Sequence, residues 1–170
     1  MGLPREQLSR RRLNLAGFLA CTGLMAYALY AEHFLLLEPC PLCIFQRVAV
    51  IVLGIVFLLA ALHNPQGTGR IVYSVLLGVV AATGAAIAAW HIRLQNLPPD
   101  QVPSCGPGFD YILDSFPLGE ALRLIFTGSG ECAAIDWSFL GLSMPAWVLI
   151  AVAGIGAFGV WNNLTRAQPA

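Results

Sequence analysis

The sequence predicts an all-α membrane protein, a four-transmembrane-helix bundle with a long outer loop that contains a short interfacial helix. Hydrophobic residues make up 58% of the chain and charged residues only 11%, which is far from the usual balance of a soluble domain. A membrane span needs roughly 20 predominantly apolar residues. Four segments meet this requirement, at about 13–31, 44–62, 71–92 and 144–161. Together they use about half of the chain, so we expect a single membrane domain over residues 1–170.

The first apolar segment is predicted to be a transmembrane span of the mature protein and not a cleaved signal. Its flanking arginines and the triplet Ala26-Tyr27-Ala28 imitate a cleavable signal, and Phe18-Leu19-Ala20-Cys21 imitates a lipoprotein cleavage site. The apolar run continues past both sites to Ala31, which is longer than a usual signal core. Removal of the segment would leave three spans, with the two termini on opposite faces of the membrane.

The arginines predict the orientation of the bundle. Four spans place the region before span one, the loop between spans two and three and the region after span four on one face. That face carries most of the arginines: Arg5, Arg10, Arg11, Arg12, Arg70 and Arg166. The positive-inside rule makes it cytoplasmic, so both termini are expected in the cytoplasm. The net charge is zero and no polybasic stripe is present, so we expect no nucleic acid partner.

Packing and membrane anchoring can also be predicted for the later spans. Span three is dense in glycine and alanine between Gly78 and Ala89, a pattern typical of closely packed membrane helices. Trp147 and Trp161 mark the two ends of span four as interfacial anchors. Cys21 lies in the middle of span one, where a buried cysteine behaves as a small apolar residue.

The segment Cys40-Pro41-Leu42-Cys43 has the spacing of a redox-active thiol pair. The residue before a proline is pushed out of the helical region, and proline suits the first helical position, so Cys40 is expected at the N-cap of span two. Cys43 then falls in the first turn, where the positive end of the helix stabilises a thiolate. A structural disulfide and half of a zinc site are the alternatives for this pair.

Three polar residues are candidates for holding a lipid-soluble redox molecule. Arg47 follows Cys43 by four residues and therefore lies on the same helix face. An intramembrane arginine indicates function, although an arginine near a helix end also suits an anchor at the interface. His91 and Gln95 are likewise four residues apart, at the outer end of span three. His91 alone is more typical of an interfacial residue, but all three together could surround a carbonyl-bearing head group.

The outer loop, at about 95–143, carries a second pair of cysteines. Glycine and proline surround Cys105, and glycine precedes Cys132, which indicates accessible thiols. In an oxidising compartment the four outer cysteines could instead form two structural disulfides. A four-cysteine zinc site is less well supported because the second pair lacks close ligand spacing, and we expect no metal. Residues 116–126 are apolar but too short to span, which predicts the interfacial helix.

Several motifs, in this order along the chain, closely resemble the bacterial disulfide bond formation protein B family, DsbB. The resemblance covers nearly the whole sequence. The segments that carry it are Pro39 to Arg47, His91 with Gln95, Ser104 to Gly108, Ser129 to Cys132, and Phe139 to Trp147.

The resemblance implies a protein-dithiol:quinone oxidoreductase that generates disulfides in the bacterial inner membrane. In that family's route, the reduced soluble partner, DsbA, attacks the Cys105–Cys132 disulfide and forms a mixed disulfide at Cys105. Cys132 then attacks Cys40, and Cys43 is released as a thiolate against a quinone beside Arg47.

The cofactor and partners follow from the same resemblance. A quinone, ubiquinone or menaquinone, would be held by Arg47, His91 and Gln95, and the expected partners are a DsbA-like periplasmic thiol oxidase, the membrane quinone pool and the lipid bilayer. Three other classes of protein remain open. A vitamin K epoxide reductase-like enzyme shares the bundle and the thiol spacing, a membrane metal-binding protein would keep the thiols reduced, and a structural membrane subunit would keep its disulfides inert.

Overall fold

The computed structural model describes residues 5–98, 100–102, 111, 114–127 and 130–165. Cys105 and Arg166 therefore lie outside the described residues. The elements in chain order are helices α1 (Arg5–Phe34), α2 (Pro41–His63), α3 (Thr68–Gln95), α4 (Leu118–Thr127) and α5 (Gly130–Ala133), strands β1 (Ser138–Phe139) and β2 (Leu142–Ser143), and helix α6 (Met144–Thr165).

The four long helices α1, α2, α3 and α6 are each long and apolar enough to cross a membrane. Each of them contains the span predicted for it and extends beyond that span at one or both ends. The predicted fold class, a four-helix membrane bundle, is confirmed. In sequence order, α1 packs against α2 and α2 against α3, while α3 makes its most extensive contact with α6.

Helix α2 begins as its proline predicts. Cys40 is the N-cap residue with an extended backbone (φ −65°, ψ 162°), and Pro41 occupies the first helical position. The helix ends at Asn64, which adopts a left-handed conformation (φ 43°) and donates its backbone N–H to the Ala60 carbonyl over 3.0 Å. These two caps define α2, and the N-terminal cap puts both cysteines of the pair at one end of the bundle.

The small residues of α3 allow the close contact with α6 that the sequence predicts. A methyl group added at Gly156 would lie only 2.2 Å from the Ala81 Cβ atom. One added at Gly84 would lie 3.1 Å from side-chain atoms of both Ala49 and Val152. The space available therefore fits glycine, and larger residues would push the helices apart. Cys21 is buried in the same core, as predicted.

The start of α1, the α2–α3 loop and the end of α6 meet at one end of the bundle. Asn14 donates to the Asn163 side chain (3.3 Å) and accepts from Asn162 (3.2 Å) and Asn163 (3.0 Å). Arg10 donates to the Pro65 carbonyl over 2.9 Å. We call this buried cluster of Arg10, Asn14, Asn162 and Asn163 the amide end. It lies at the opposite end of α2 from Cys40, as an even number of spans requires.

A short hairpin that the sequence analysis did not predict precedes α6. Strands β1 and β2 pair antiparallel, with Phe139 opposite Leu142. The two turn residues, Leu140 (φ 51°) and Gly141 (φ 77°), both have positive φ, as a tight two-residue hairpin turn requires. Trp147 donates its indole N–H to the Phe139 carbonyl over 3.0 Å. This bond fixes the hairpin against the first turn of α6.

Helix α4 falls within the segment predicted to form the interfacial helix, but it begins only at Leu118, after Pro117. Ala121 and Ile125 are buried, whereas Glu120 and Leu124 on other faces are exposed. The buried pair packs on the outer end of the bundle. That α4 lies in the membrane interface stays a prediction.

Candidate functional site

The thiols of Cys40 and Cys43 meet at the beginning of α2. Residues three apart in a helix are neighbours on its surface, and the two sulfur atoms lie 3.2 Å apart. Cys40 is buried and Cys43 half-buried. The spacing of the pair thus brings two thiols together at the N-terminal end of a helix, where the partial positive charge of the backbone favours a thiolate.

His91 of α3 joins this pair to the outer loop. Its ring is buried, and Nε2 lies 3.7 Å from the Cys40 sulfur and 3.0 Å from the Cys132 carbonyl oxygen. Nδ1 lies 3.0 Å from the amide nitrogen of Gln46, which is also buried. Because the amide donates to Nδ1, the proton of the neutral ring is on Nε2, which donates to the Cys132 carbonyl.

Cys132 of α5 is fully buried beside the thiol pair. It belongs to an apolar cluster with Cys40, Leu42 and Ile125, and it lies within electrostatic range of Cys43. We call the group of Cys40, Cys43, His91 and Cys132 the thiol end. One member of the predicted loop pair therefore lies in the same buried cluster as Cys40, while the other, Cys105, lies outside the described residues.

Arg47 is one helical turn beyond Cys43, and its guanidinium turns towards α1. It forms an ion pair with Glu32 and donates to the Ala28 carbonyl over 3.4 Å. The side chains of Arg47 and Glu32 are 22% and 32% exposed, so solvent can screen this pair. Arg47 is also within electrostatic range of Cys43. The positive charge expected near the thiols is present, together with a carboxylate that partly neutralises it.

Gln95 is held by the segment that follows α5. The Ser143 hydroxyl donates to the Gln95 side-chain oxygen over 2.7 Å, and the Gln95 amide nitrogen donates to the Ala134 carbonyl over 3.4 Å. Ser143 belongs to β2, so the hairpin and the end of α3 are tied together. These bonds keep the polar group of Gln95 at the same end of the bundle as His91.

A cavity of about 860 Å³ opens beside these residues. Helices α1, α2, α3 and α6 and the segment around α5 all contribute to its wall. Its polar lining includes Cys40, Cys43, Arg47, His91 and Gln95. The remainder is largely apolar, with Leu24, Met25, Ile44, Val50, Val148 and Ala151. The structure thus brings Cys40, Cys43, Arg47, His91 and Gln95 of the predicted site to one cavity, whereas Cys132 is buried next to it and does not line it.

Aromatic residues of α1, β1 and α6, together with Trp137, contact one another beside the cavity. Tyr27 of α1 meets Trp137 edge-on with ring centres 6.2 Å apart. Trp137 stacks on Phe139 of β1 at 6.2 Å, and Phe139 contacts Trp147 of α6 at 6.0 Å. Tyr27, Trp137 and Trp147 also line the cavity. Aromatic pairs prefer ring-centre distances of this size. These contacts therefore join α1, the hairpin and α6 beside the cavity.

Three contributors to the site escaped the sequence analysis: Gln46, Glu32 and Ser143. Gln46 directly precedes Arg47 and belongs to the motif from Pro39 to Arg47 and to the apolar span two, but the sequence assigns it no role of its own. Its one signal in the sequence is that it is an uncharged polar residue within an apolar span, because a buried side-chain amide needs a hydrogen-bond partner. Glu32 belongs to none of the motifs of the sequence analysis, and Ser143 belongs only to the motif from Phe139 to Trp147.

Comparisons with known proteins find the same family name for a family model and for several relatives. A family model described as Disulfide bond formation protein DsbB matches residues 10–162. A Disulfide bond formation protein B of Methylococcus capsulatus is 50% identical over 160 residues, which cover 93% of this chain and 98% of that protein. Proteins of the same name from Hahella chejuensis and Methylobacillus flagellatus are 51% and 54% identical over 154 and 150 residues, or 91% and 88% of this chain and 92% and 90% of those proteins.

Proposed function

Because the chain belongs to the DsbB family of disulfide bond formation proteins, we propose that it oxidises a periplasmic protein dithiol and delivers the electrons to a membrane quinone. The family and the four apolar helices make it a multi-pass membrane oxidoreductase of disulfide bond formation. The quinone as electron acceptor and the soluble dithiol protein as partner are proposed in addition.

The observation that carries the proposal is the shared cavity, in which a thiol pair, three hydrogen-bonding side chains and apolar helix faces meet. Its volume of about 860 Å³ is within the range of small-molecule sites. A quinone offers carbonyl oxygens on a flat apolar ring, which suits donors such as Arg47, His91 and Gln95 at one side and apolar walls at the other. Bound there, ubiquinone or menaquinone would accept two electrons and two protons from the dithiol.

The electrons pass through the chain in two thiol–disulfide exchanges. The dithiol of the partner reduces the proposed Cys105–Cys132 disulfide through a mixed disulfide at Cys105. The freed Cys132 thiolate attacks the sulfur of Cys40, a new bond forms between them, and the Cys40–Cys43 bond breaks to release the Cys43 thiolate. The contacts of His91 Nε2 with both the Cys132 backbone and the Cys40 sulfur support this direction of attack.

The released Cys43 thiolate is stabilised from two sides. The first turn of α2 directs its backbone N–H groups towards that end of the helix, and Arg47 supplies a permanent positive charge. The same guanidinium would stabilise negative charge on an oxygen in the cavity. The second thiol of the partner attacks the mixed disulfide at Cys105, which gives the oxidised partner and frees Cys105. The Cys105 thiolate then attacks Cys132, so that the Cys105–Cys132 disulfide forms again and Cys40 is released. Cys40 and Cys43 pair again by a two-electron oxidation, which a quinone held in the cavity would supply.

The partner and the location follow from where such chemistry is needed. The bacterial periplasm is kept oxidising by a relay of DsbA, DsbB and quinone, so we propose a DsbA-like dithiol oxidase as the partner and the inner membrane as the location. The arginine-bearing amide end then faces the cytoplasm with both termini, and the thiol end faces the periplasm. A topology reporter after Arg70 should read cytoplasmic, and a periplasmic reading there would contradict this orientation.

The test uses the purified protein with a reduced DsbA-like protein and quinone, without oxygen. One quinol should form for each disulfide gained by the partner. Cys43→Ser should reduce turnover to the uncatalysed level, whereas Cys21→Ala, which changes a core residue away from the cavity, should keep it. Partner oxidation without quinol formation would contradict the proposed function.

A further inference from the structure

Three metal-binding side chains converge at the thiol end. One donor atom from each of Cys40, Cys43 and His91 lies within 4.8 Å of the other two. We propose that, in the reduced protein, these three residues bind a d¹⁰ divalent metal ion, Zn²⁺ or Cd²⁺, and that the bound ion prevents the thiols from being re-oxidised. The binding stands on geometry alone, whereas the effect on turnover rests on the proposed function.

Two of the three distances between the donor atoms can be compared with those of a tetrahedral site, and the third is within 4.8 Å. Zinc–sulfur bonds of about 2.3 Å and zinc–nitrogen bonds of about 2.0–2.1 Å separate two sulfur ligands by about 3.8 Å, and a sulfur from a nitrogen by about 3.6 Å. The observed separations are 3.2 Å between the two sulfurs and 3.7 Å between the Cys40 sulfur and His91 Nε2. To accommodate the ion, the two sulfur atoms must move apart slightly at the start of α2, and His91 Nε2 must exchange its hydrogen bond to the Cys132 carbonyl for the bond to the metal.

Gln46 can support His91 as a ligand. Coordination through Nε2 requires the other tautomer, in which Nδ1 carries the proton and needs an acceptor. Gln46 already lies 3.0 Å from Nδ1. Rotation of its amide by a half turn exchanges nitrogen for oxygen and supplies that acceptor. A buried amide in this position is therefore a positioning residue for a metal-bound histidine.

Charge and access also favour binding of a divalent ion. Both thiols lose a proton to solvent and form a bond to the metal, so two thiolates and one divalent cation give a neutral group, and no electron is transferred. A neutral group suits a largely buried position better than isolated charges do. Two cysteines and one histidine leave a fourth position for water, as in open zinc sites, and the adjoining cavity supplies the access. Thiolates held in metal bonds are withdrawn from disulfide formation.

The experiment measures metal binding to reduced protein in detergent, in the absence of quinone. A Cys105→Ser, Cys132→Ser background removes the loop thiols. Titration with Cd²⁺ should give one equivalent per chain by sulfur-to-cadmium charge-transfer absorption, and two thiols should become protected from alkylation. Gln46→Leu should weaken binding by about tenfold, within the range seen when the hydrogen-bond partner of a metal ligand is removed, and His91→Ala, which removes a ligand itself, should weaken it by at least about a hundredfold.

The matched control is His63→Ala, which removes an exposed histidine at the far end of α2 and should leave the affinity unchanged. Unaltered Cd²⁺ affinity in both His91→Ala and Gln46→Leu would overturn the proposal, because the ion would then use the thiols alone. If His91→Ala does not fold, the visible absorption spectrum of Co²⁺ bound to the Cys105→Ser, Cys132→Ser protein tests the proposal instead. Intense visible bands of a tetrahedral sulfur–nitrogen site support the proposal, and weak octahedral bands refute it.

Failure of this inference and failure of the proposed function are distinguishable. In the turnover assay, added Zn²⁺ should inhibit and a chelator should restore activity. Turnover that Zn²⁺ leaves unchanged would contradict the inferred inhibition while the proposed function stands. Cd²⁺ binding by a protein that reduces no quinone, even with chelator present, would support the metal site and contradict the proposed function.

Discussion

The two ends of the helix bundle bury polar side chains in different ways. At the amide end, Asn14, Asn162 and Asn163 are fully buried and hydrogen-bond to one another across α1 and α6. At the thiol end, His91 and Gln46 are equally buried, but their neighbours include two thiols and a cavity of about 860 Å³.

The difference separates structural polar groups from reactive ones. Amide groups that bond to one another across two helices fix the positions of those helices. Thiols and an imidazole beside a cavity can change partner and protonation state. Burial alone therefore does not identify a functional site in this bundle, and access to a cavity does.

Arg47→Gln tests the thiol end and should have the largest effect. Two charges about 4 Å apart interact by about 4 kcal/mol at an effective dielectric of about 20, so the loss of even a third of that changes binding about tenfold. We expect the apparent quinone affinity to fall by at least about tenfold, with Arg47→Lys intermediate because it keeps the charge and loses the planar fork.

The measurement for Arg47 is the dependence of turnover on quinone concentration. Arg93→Gln is the matched control, since Arg93 lies near the outer end of α3 over the Trp90 ring, 5.2 Å from its centre, and is absent from the cavity lining. Unchanged kinetics in Arg47→Gln would mean that this arginine only anchors α2 at the interface.

Asn14→Leu tests the amide end, where the effect should fall on stability. The substitution removes the acceptor of Asn162 and Asn163, and hydrogen bonds between membrane helices contribute roughly 1 kcal/mol. The melting temperature in detergent should fall, while turnover per folded molecule stays at the wild-type value. Thr83→Val, which removes a local bond on an exposed face of α3, is the control. A wild-type melting temperature with reduced turnover would contradict the structural role of this end.

Glu32→Gln should have the smallest effect. The ion pair with Arg47 is partly exposed, and such pairs contribute about 1 kcal/mol or less. The apparent quinone affinity should change by less than about fivefold in the same concentration series. If Glu32→Gln were as damaging as Arg47→Gln, the ion pair between α1 and α2 would be the main role of the arginine.

The features predicted from sequence are local along the chain. Apolar length gives the four spans, proline gives the N-cap at Cys40, and spacing by four residues puts His91 with Gln95 on one face. Each of these depends on residues close together in sequence. The small residues of α3 likewise predict close packing from the composition of a single helix, although not which residues pack against them.

Contacts between separate elements could not be predicted from the local sequence pattern. The Gln46–His91 bond depends on the depth and rotation of α2 relative to α3, and the Glu32–Arg47 pair depends on the turn between α1 and α2. The hairpin has only two residues in each strand, and its Leu140-Gly141 turn lacks the asparagine or aspartate that usually marks such a turn. These details required the assembled bundle.

Direct oxidation of the Cys40–Cys43 pair by quinone at the thiol end is the central step of the proposed function. The measurement is a thiol count by alkylation in a reduced Cys105→Ser, Cys132→Ser variant, before and after addition of one equivalent of quinone without oxygen. We predict that two thiols disappear, that a Cys40–Cys43 disulfide forms, and that one equivalent of quinol appears. A pair that stays reduced with quinone present would contradict the account.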